Sequence, residues 1–209
     1  MNVRKRFSVI IIAVFAVSVA GGLSFAFNAF ERRNDYQSPP EKPVPLPTMI
    51  DPNFLAQVND CFMPIATFYG YTLRINEDFR TFEEQDEIYN QGRTVNGHIV
   101  TDAPAGKSIH NYGLAVDVVD RWRGYDIDWD KLGRIGAYCR LEHDDEVDFP
   151  HFEQRGGLTT TDFAAGKRPP FLKLPCALMR ERAITGQPLT REDLDVCGAP
   201  DFNLPKKDE

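Results

Sequence analysis

The chain is short of the residues that several common chemistries require. No two of its four cysteines (Cys61, Cys139, Cys176, Cys197) stand at C-x-x-C spacing, which argues against a cysteine-built zinc site. Its basic residues are scattered and the formal charge is -7, so no basic stripe exists to track phosphates and nucleic acid is excluded as a partner. Histidine is scarce: His98, His110, His143 and His151 are the whole supply for any imidazole chemistry. No internal repeat is visible.

What is present starts with an uncharged apolar run, Phe7 to Phe30, behind the basic "MNVRKR". At about 1.5 Å per residue it is long enough to cross a bilayer core of roughly 30 Å, with the N-terminus held on the cytoplasmic side. Its length favours a retained membrane anchor over residues 1–31; Ser18-Val19-Ala20 offers the competing reading of a cleaved signal peptide. Either way the remainder lies outside the cytoplasm, anchored at the inner membrane and facing the periplasm, or released. Four cysteines suit that compartment, and three pairings are open to them. Cys176 and Cys197 lie in one segment and are expected to staple it. Cys61 and Cys139 either form a second bridge or remain thiols.

Residues 32–50, "RRNDYQSPPEKPVPLPT" and its continuation, read as an extended Pro-rich tether. With 42% apolar residues, the rest can bury one core of about 120 residues, placed over 51–157, followed by a Pro- and charge-rich tail over 158–209. Asp51 and Pro52 predict a helix start, with Pro64 a kink. "YTLRIN" alternates as a strand. Thr81 and Glu84 have capping-box spacing before a second helix. "GLAVDVV" reads as a strand, "DWDKLGRIGAYCRL" as a third helix and "VDFPHFE" as a last strand, giving an α+β domain.

On the strand after Gly113, Ala115, Asp117 and Val119 share one face. An aspartate there reads either as a strand-end cap or as a metal ligand, with His110 delivered by the preceding loop. Gly113 and Ala115 are then expected to be small so that backbone can pass close to metal and substrate. His110, Asp117 and His151 are the natural set of three ligands, with a fourth position for water.

"SIHNYGLAVD" and "DFPHF" fit S-x-H-x-x-G-x-A-x-D and D-x-P-H-F, and in this the chain resembles the VanY-like zinc peptidases related to the D-Ala-D-Ala carboxypeptidases and dipeptidases of vancomycin resistance. The intervening "YNQGRTVNGHIVTDAPAGK" is similar to the branch of L-alanyl-D-glutamate endopeptidases and phage endolysins. The resemblance spans roughly Asp51 to Gln154. It implies a Hedgehog/D-Ala-D-Ala peptidase-like fold, in which a small antiparallel sheet with flanking helices holds one zinc. It implies that His110, Asp117 and His151 are the ligands, that Asp148 is the general base, that Arg80 steadies the oxyanion or substrate carbonyl, and that Gln85 and Ser108 line the site. The implied substrate is the peptidoglycan stem peptide, cut at the bond from L-Ala to D-Glu. Removal of terminal D-Ala is the alternative, and a non-catalytic wall-binding module a second one. Asp148 requires a bend at Phe149-Pro150, because residues three apart on a regular strand face opposite sides. Where relatives carry a Trp-Gly-Gly-type turn this chain has "LEHDDEVD", read as a solvated acidic turn. His98 reads as a surface residue.

Overall fold

A computed structural model describes residues 46–143, 148–170 and 173–203. The apolar run Phe7 to Phe30 and residues 32–45 of the Pro-rich tether lie outside the described residues, and among the described residues no helix is long and apolar enough to cross a membrane.

Asp51 caps the first helix, its carboxylate accepting from the N–H groups of Asn53 (2.8 Å) and Phe54 (3.2 Å), while Pro52 occupies a position whose N–H the helix would leave unused. Helical structure then continues as α1 (Pro52–Gln57), a π-helical turn (Val58–Phe62) and α2 (Met63–Phe68). The π turn answers Pro64. A proline ring clashes with the carbonyl four residues back, and widening the preceding turn, with Met63 N–H bonding to Val58 O, makes room for it. Phe54, Val58, Cys61, Phe62 and Ile65 form the buried stripe.

Four strands follow: β1 (Leu73–Glu77), β2 (Ala115–Asp120), β3 (Glu142–His143) and β4 (His151–Glu153). They form an antiparallel sheet in the order β1-β2-β4-β3. Helix α3 (Phe82–Asn90) opens on the expected Thr81/Glu84 capping box, and α4 (Trp129–Tyr138) on Asp128, whose carboxylate accepts from Lys131 N–H. One face of the sheet carries Val116, Val118 and Phe152 into the core with the α1–α2 helix and α4; Phe62 and Phe152 meet with ring centroids 4.5 Å apart. The other face carries the site.

Strand β3 replaces the start of the acidic turn read from the sequence. His143 stacks on Phe152 at 4.4 Å and bonds through Nε2 to Phe149 O at 2.9 Å, so its ring closes the sheet edge; residues 144–147 lie outside the described residues. The segment read as a tail forms α5 (Thr160–Ala164), α6 (Ala177–Thr185) and α7 (Arg191–Val196), and Phe163, Met179, Leu194 and Phe202 enter the common core. Two disulfides are formed, Cys176–Cys197 within this segment and Cys61–Cys139 between the first helical stretch and the residue capping α4.

The reason expected for Gly113 is not the one the structure gives. It has φ +68°, a left-handed conformation that ends the 3-10 turn Ile109–Tyr112, and an added Cβ would stand 2.5 Å from Met49 O. Backbone does pass close to it, but that backbone is the Met49–Asp51 segment, joined by an Asp51 N–H to Gly113 O bond of 2.8 Å.

Candidate metal centre

The site is assembled from one short turn and two paired strands. The 3-10 turn after Ser108 puts His110 in a buried position just ahead of β2. On β2, Asp117 stands directly across from His151 on β4 and, on its other side, across from Glu77 on β1. Cross-strand neighbours share a face, so register alone lines up Glu77, Asp117 and His151.

Three lone-pair atoms converge there. His110 Nε2 lies 3.1 Å from His151 Nδ1 and 3.3 Å from Asp117 Oδ1, and His151 Nδ1 lies 3.1 Å from the same oxygen. The outer nitrogens are committed elsewhere: His110 Nδ1 to the Asp78 carbonyl at 2.5 Å, and His151 Nε2 to Glu153 at 2.9 Å. A neutral imidazole has one hydrogen, and with it placed on the outer nitrogen, where the Asp78 carbonyl or the Glu153 carboxylate accepts it, the inner nitrogens are left as acceptors. Two imidazole acceptors and a carboxylate oxygen in mutual contact need a positive charge between them. Two nitrogens and one oxygen are also a donor set that zinc takes. Among the described residues, His110, Asp117 and His151 are the group whose ligand atoms all lie within 4.8 Å of one another.

The same demand appears in proton binding. Burial opposes a charge on His151, but the carboxylates of Asp117 and Glu153 outweigh it and push the imidazole up to about 9. Burial would raise Asp117, yet the hydrogen bonds and charge of His110 and His151 hold it well below the usual carboxylate range.

Arg80 is tied to this centre through its backbone, its N–H donating to His110 O at 3.2 Å. Its guanidinium is held by Glu77, with Nε to Oε1 at 2.6 Å and Nη2 to Oε2 at 2.5 Å, and by Gln85 Oε1 at 2.8 Å from Nη1. Gln85 is fully buried and spends its amide on the Ala103 carbonyl at 2.6 Å, so it holds Arg80 and the 91–103 loop in place and does not line an open surface. Ser108 is half-buried at the start of the His110 turn. Asp148 is exposed, in a turn closed by His151 N–H to Asp148 O at 3.1 Å; Phe149 and Pro150 occupy its middle, which is the bend the sequence requires. His98 is exposed in the 91–103 loop.

That loop is closed on itself by Arg93, which stacks over the Tyr89 ring at 4.0 Å, donates to Tyr89 O and Thr101 O, and pairs with Asp102 at 2.8 Å. Val95, Ile99 and Val100 are exposed on it.

Sequence reasoning passed over Glu77, Glu153 and Arg155. Glu153 was within reach, because two residues past His151 on a strand is the same face. Glu77 and Arg80 meet through the end of β1, for which the residue types alone give no signal.

A small antiparallel sheet bearing a His, Asp, His donor set, with an arginine bonded to the ligand turn, has the make-up of a zinc hydrolase centre. The chain belongs to the VanY family of peptidases. Residues 51–134 match the family model described as VanY, D-alanyl-D-alanine carboxypeptidase. The peptidoglycan L-alanyl-D-glutamate endopeptidase CwlK of Bacillus subtilis (strain 168) is 35% identical over 130 residues, covering 62% of this chain and 73% of that protein. Among solved structures, the chain is similar to the D,D-pentapeptidase VanY of a VanB-type vancomycin resistance cassette in complex with Zn(II). That match has a TM-score of 0.43 and 18% identity, over 58% of this chain and 93% of that one. An L,D-carboxypeptidase, DacB of Streptococcus pneumonia, matches with a TM-score of 0.44 and 16% identity, over 75% of this chain and 82% of that one.

Proposed function

We propose that this chain is a zinc peptidase of the bacterial wall that hydrolyses stem peptides between L-Ala and D-Glu. The observation that carries the metal chemistry is the contact of His110 Nε2, His151 Nδ1 and Asp117 Oδ1 within 3.3 Å, three acceptors that only a cation or proton reconciles. The choice of bond rests on the 35% identity to CwlK. The family model's carboxypeptidase description favours removal of terminal D-Ala as the second reading.

His110, Asp117 and His151 would hold one zinc, which would supply Lewis acidity toward the scissile carbonyl and toward water. The protein's own groups do the rest. Asp148 takes the proton of the attacking water and hands it to the leaving amine, a task suited to an exposed carboxylate on a turn one bond away from a ligand residue's N–H. Arg80 already has its guanidinium plane fixed by Glu77 and Gln85, and its remaining N–H groups stabilise the carbonyl oxygen as charge develops there. No reorganisation of Arg80 is needed at that moment. The two disulfides suit an extracytoplasmic enzyme, tethered through residues 1–31 and spaced from the bilayer by the Pro-rich segment.

The test is digestion of purified sacculi with mass analysis. Chelation should abolish product release and zinc restore it, and the products should expose a new D-Glu N-terminus. Release of free D-Ala alone would establish the second reading. Asp148→Ala should retain zinc and lose turnover by roughly 10²- to 10⁴-fold; near-normal turnover would place the base elsewhere.

A further inference from the structure

Strand β4 carries more than one ligand. Its alternation sends Phe152 into the core and leaves His151 and Glu153 on the site face, two residues apart. Glu153 Oε2 lies 2.9 Å from His151 Nε2, on the side of the ring away from the metal centre. The carboxylate is itself gripped by Arg155, through Nε to Oε1 and through Nη2 to Oε2 at 3.2 Å. Arg155 is anchored in turn, since its backbone N–H donates to Glu142 Oε1 on β3 at 2.9 Å, beside a second bond from Gly156 N–H at 2.8 Å. Across the sheet, Ala115 stands directly opposite Glu153.

The two histidines are therefore oriented by unequal partners. His110 leans on a neutral acceptor, the Asp78 carbonyl, which backbone geometry fixes. His151 leans on an ionised side chain that holds its position only while Arg155 holds it. We propose that Glu153, clamped by Arg155, is the positioning residue of the centre: it keeps the hydrogen of His151 on Nε2, aims Nδ1 at His110 and Asp117, and sets how tightly the metal is held. A carboxylate behind a ligating imidazole fixes its tautomer and makes the inner nitrogen a stronger donor, and loss of such a partner typically weakens metal binding by about 10- to 100-fold. Glu153 is not a further ligand, because it touches the nitrogen that faces away. Nor does its pairing with Arg155 alone explain the arrangement, since an ion pair whose arginine is 41% exposed contributes little by itself.

This inference rests on the zinc reading above, and the experiment separates the two. Full-length protein is stripped of metal and zinc affinity is measured by competition with a chromophoric chelator, for the wild type, Glu153→Gln, Glu153→Ala and Arg155→Met. The expected order is wild type tightest, then Glu153→Gln and Arg155→Met, with Glu153→Ala weakest by about 10- to 100-fold. Gln still offers an oxygen to Nε2–H without the charge, so its partial rescue marks orientation as distinct from bulk. In the zinc-loaded wild type, long-range ¹H–¹⁵N correlation should show His151 protonated at Nε2, and Glu153→Ala should shift or broaden that signal while leaving His110 in place. Should Glu153→Ala be too unstable to purify, Glu153→Gln and Arg155→Met carry the comparison. Wild-type affinity in those two folded variants would overturn the inference and leave the zinc reading standing. Failure of the wild type to bind zinc would overturn both.

Discussion

Replacing Gly113 by alanine tests whether the Met49–Asp51 segment packed against it is what requires glycine there. At φ +68° a Cβ carries the left-handed penalty of about 1–2 kcal/mol. That Cβ would also sit 2.5 Å from Met49 O and 3.0 Å from Asp51 N and Ile50 Cα, all backbone atoms that cannot swing aside as a side chain would. The Met49–Asp51 segment must retreat, which breaks the bond from Asp51 N–H to Gly113 O and adds about 1 kcal/mol. The expected total is about 3 kcal/mol, or roughly 6–12 °C in melting temperature for a chain of this size. Gly124 provides the control: it has φ +62° and nothing within 4 Å of an added Cβ, so Gly124→Ala should show the conformational part alone, about 1–2 kcal/mol. Urea denaturation of both variants measures the difference. If Gly113→Ala costs no more than Gly124→Ala, the close approach of the Met49–Asp51 segment is not what requires glycine at this position.

The two disulfides should differ in weight. In the chain-entropy model the Cys61–Cys139 bridge, closing 78 residues, contributes about 4.5 kcal/mol, against about 3.3 kcal/mol for Cys176–Cys197, closing 21. Denaturation of the two Cys-to-Ala pair variants gives the order, and a larger loss from the second pair would refute it. Asp120 predicts an acid limb. Its carboxylate accepts from Arg123 Nη2 and from the N–H groups of Thr72, Trp122 and Arg123 at 2.8–3.0 Å, and these bonds, the Arg123 side chain first, hold it far below the usual carboxylate range. A depressed folded pKa gives stability that is present above the unfolded value of about 3.9 and is lost as pH falls below it. The advantage of wild type over Asp120→Asn should therefore be flat above about pH 5 and shrink on further acidification; a gap that widens in acid would refute the assignment.

What could be read from the residues was whatever announces itself locally. Asp51-Pro52 and the Thr81/Glu84 pair mark helix starts by their own hydrogen-bonding chemistry, and Asp117 stands out because an ionisable group on an apolar strand needs a reason. Three helices escaped because α5, α6 and α7 are 5, 9 and 6 residues long, too short for a periodic stripe to rise above composition. For α5 and α7 the capping boxes Thr159/Asp162 and Thr190/Asp193 were the available signal, whereas α6 has no side-chain cap. Strand β3 is two residues long and is specified by its partner Phe152, a tertiary effect. Gly113 shows the same limit at one position: its smallness was visible, but not which backbone would crowd it. Glu77 becomes part of the site only through the bulged register that brings it opposite Asp117.

The loop held by Arg93 has a consequence for how such an enzyme can diversify. Its ends are fastened through Arg93 to Tyr89, Thr101 and Asp102 and through Gln85 to Ala103, and its backbone is tied down as well, with the N–H groups of Thr94 and Val95 bonded to Asn90 O and that of Gly92 to Val95 O. Between those fastenings Val95, Ile99 and Val100 face solvent. The exposed side chains of Val95, Ile99 and Val100 can therefore change in character while Ala103 O still holds Gln85, Gln85 still holds Arg80, and the three ligand positions on the turn, β2 and β4 stay where they are. Variation at a tip of this kind is the sort that surface loops tolerate. The outer surface of this loop is a replaceable part, and its side chains can be exchanged without the three ligand positions having to be rebuilt.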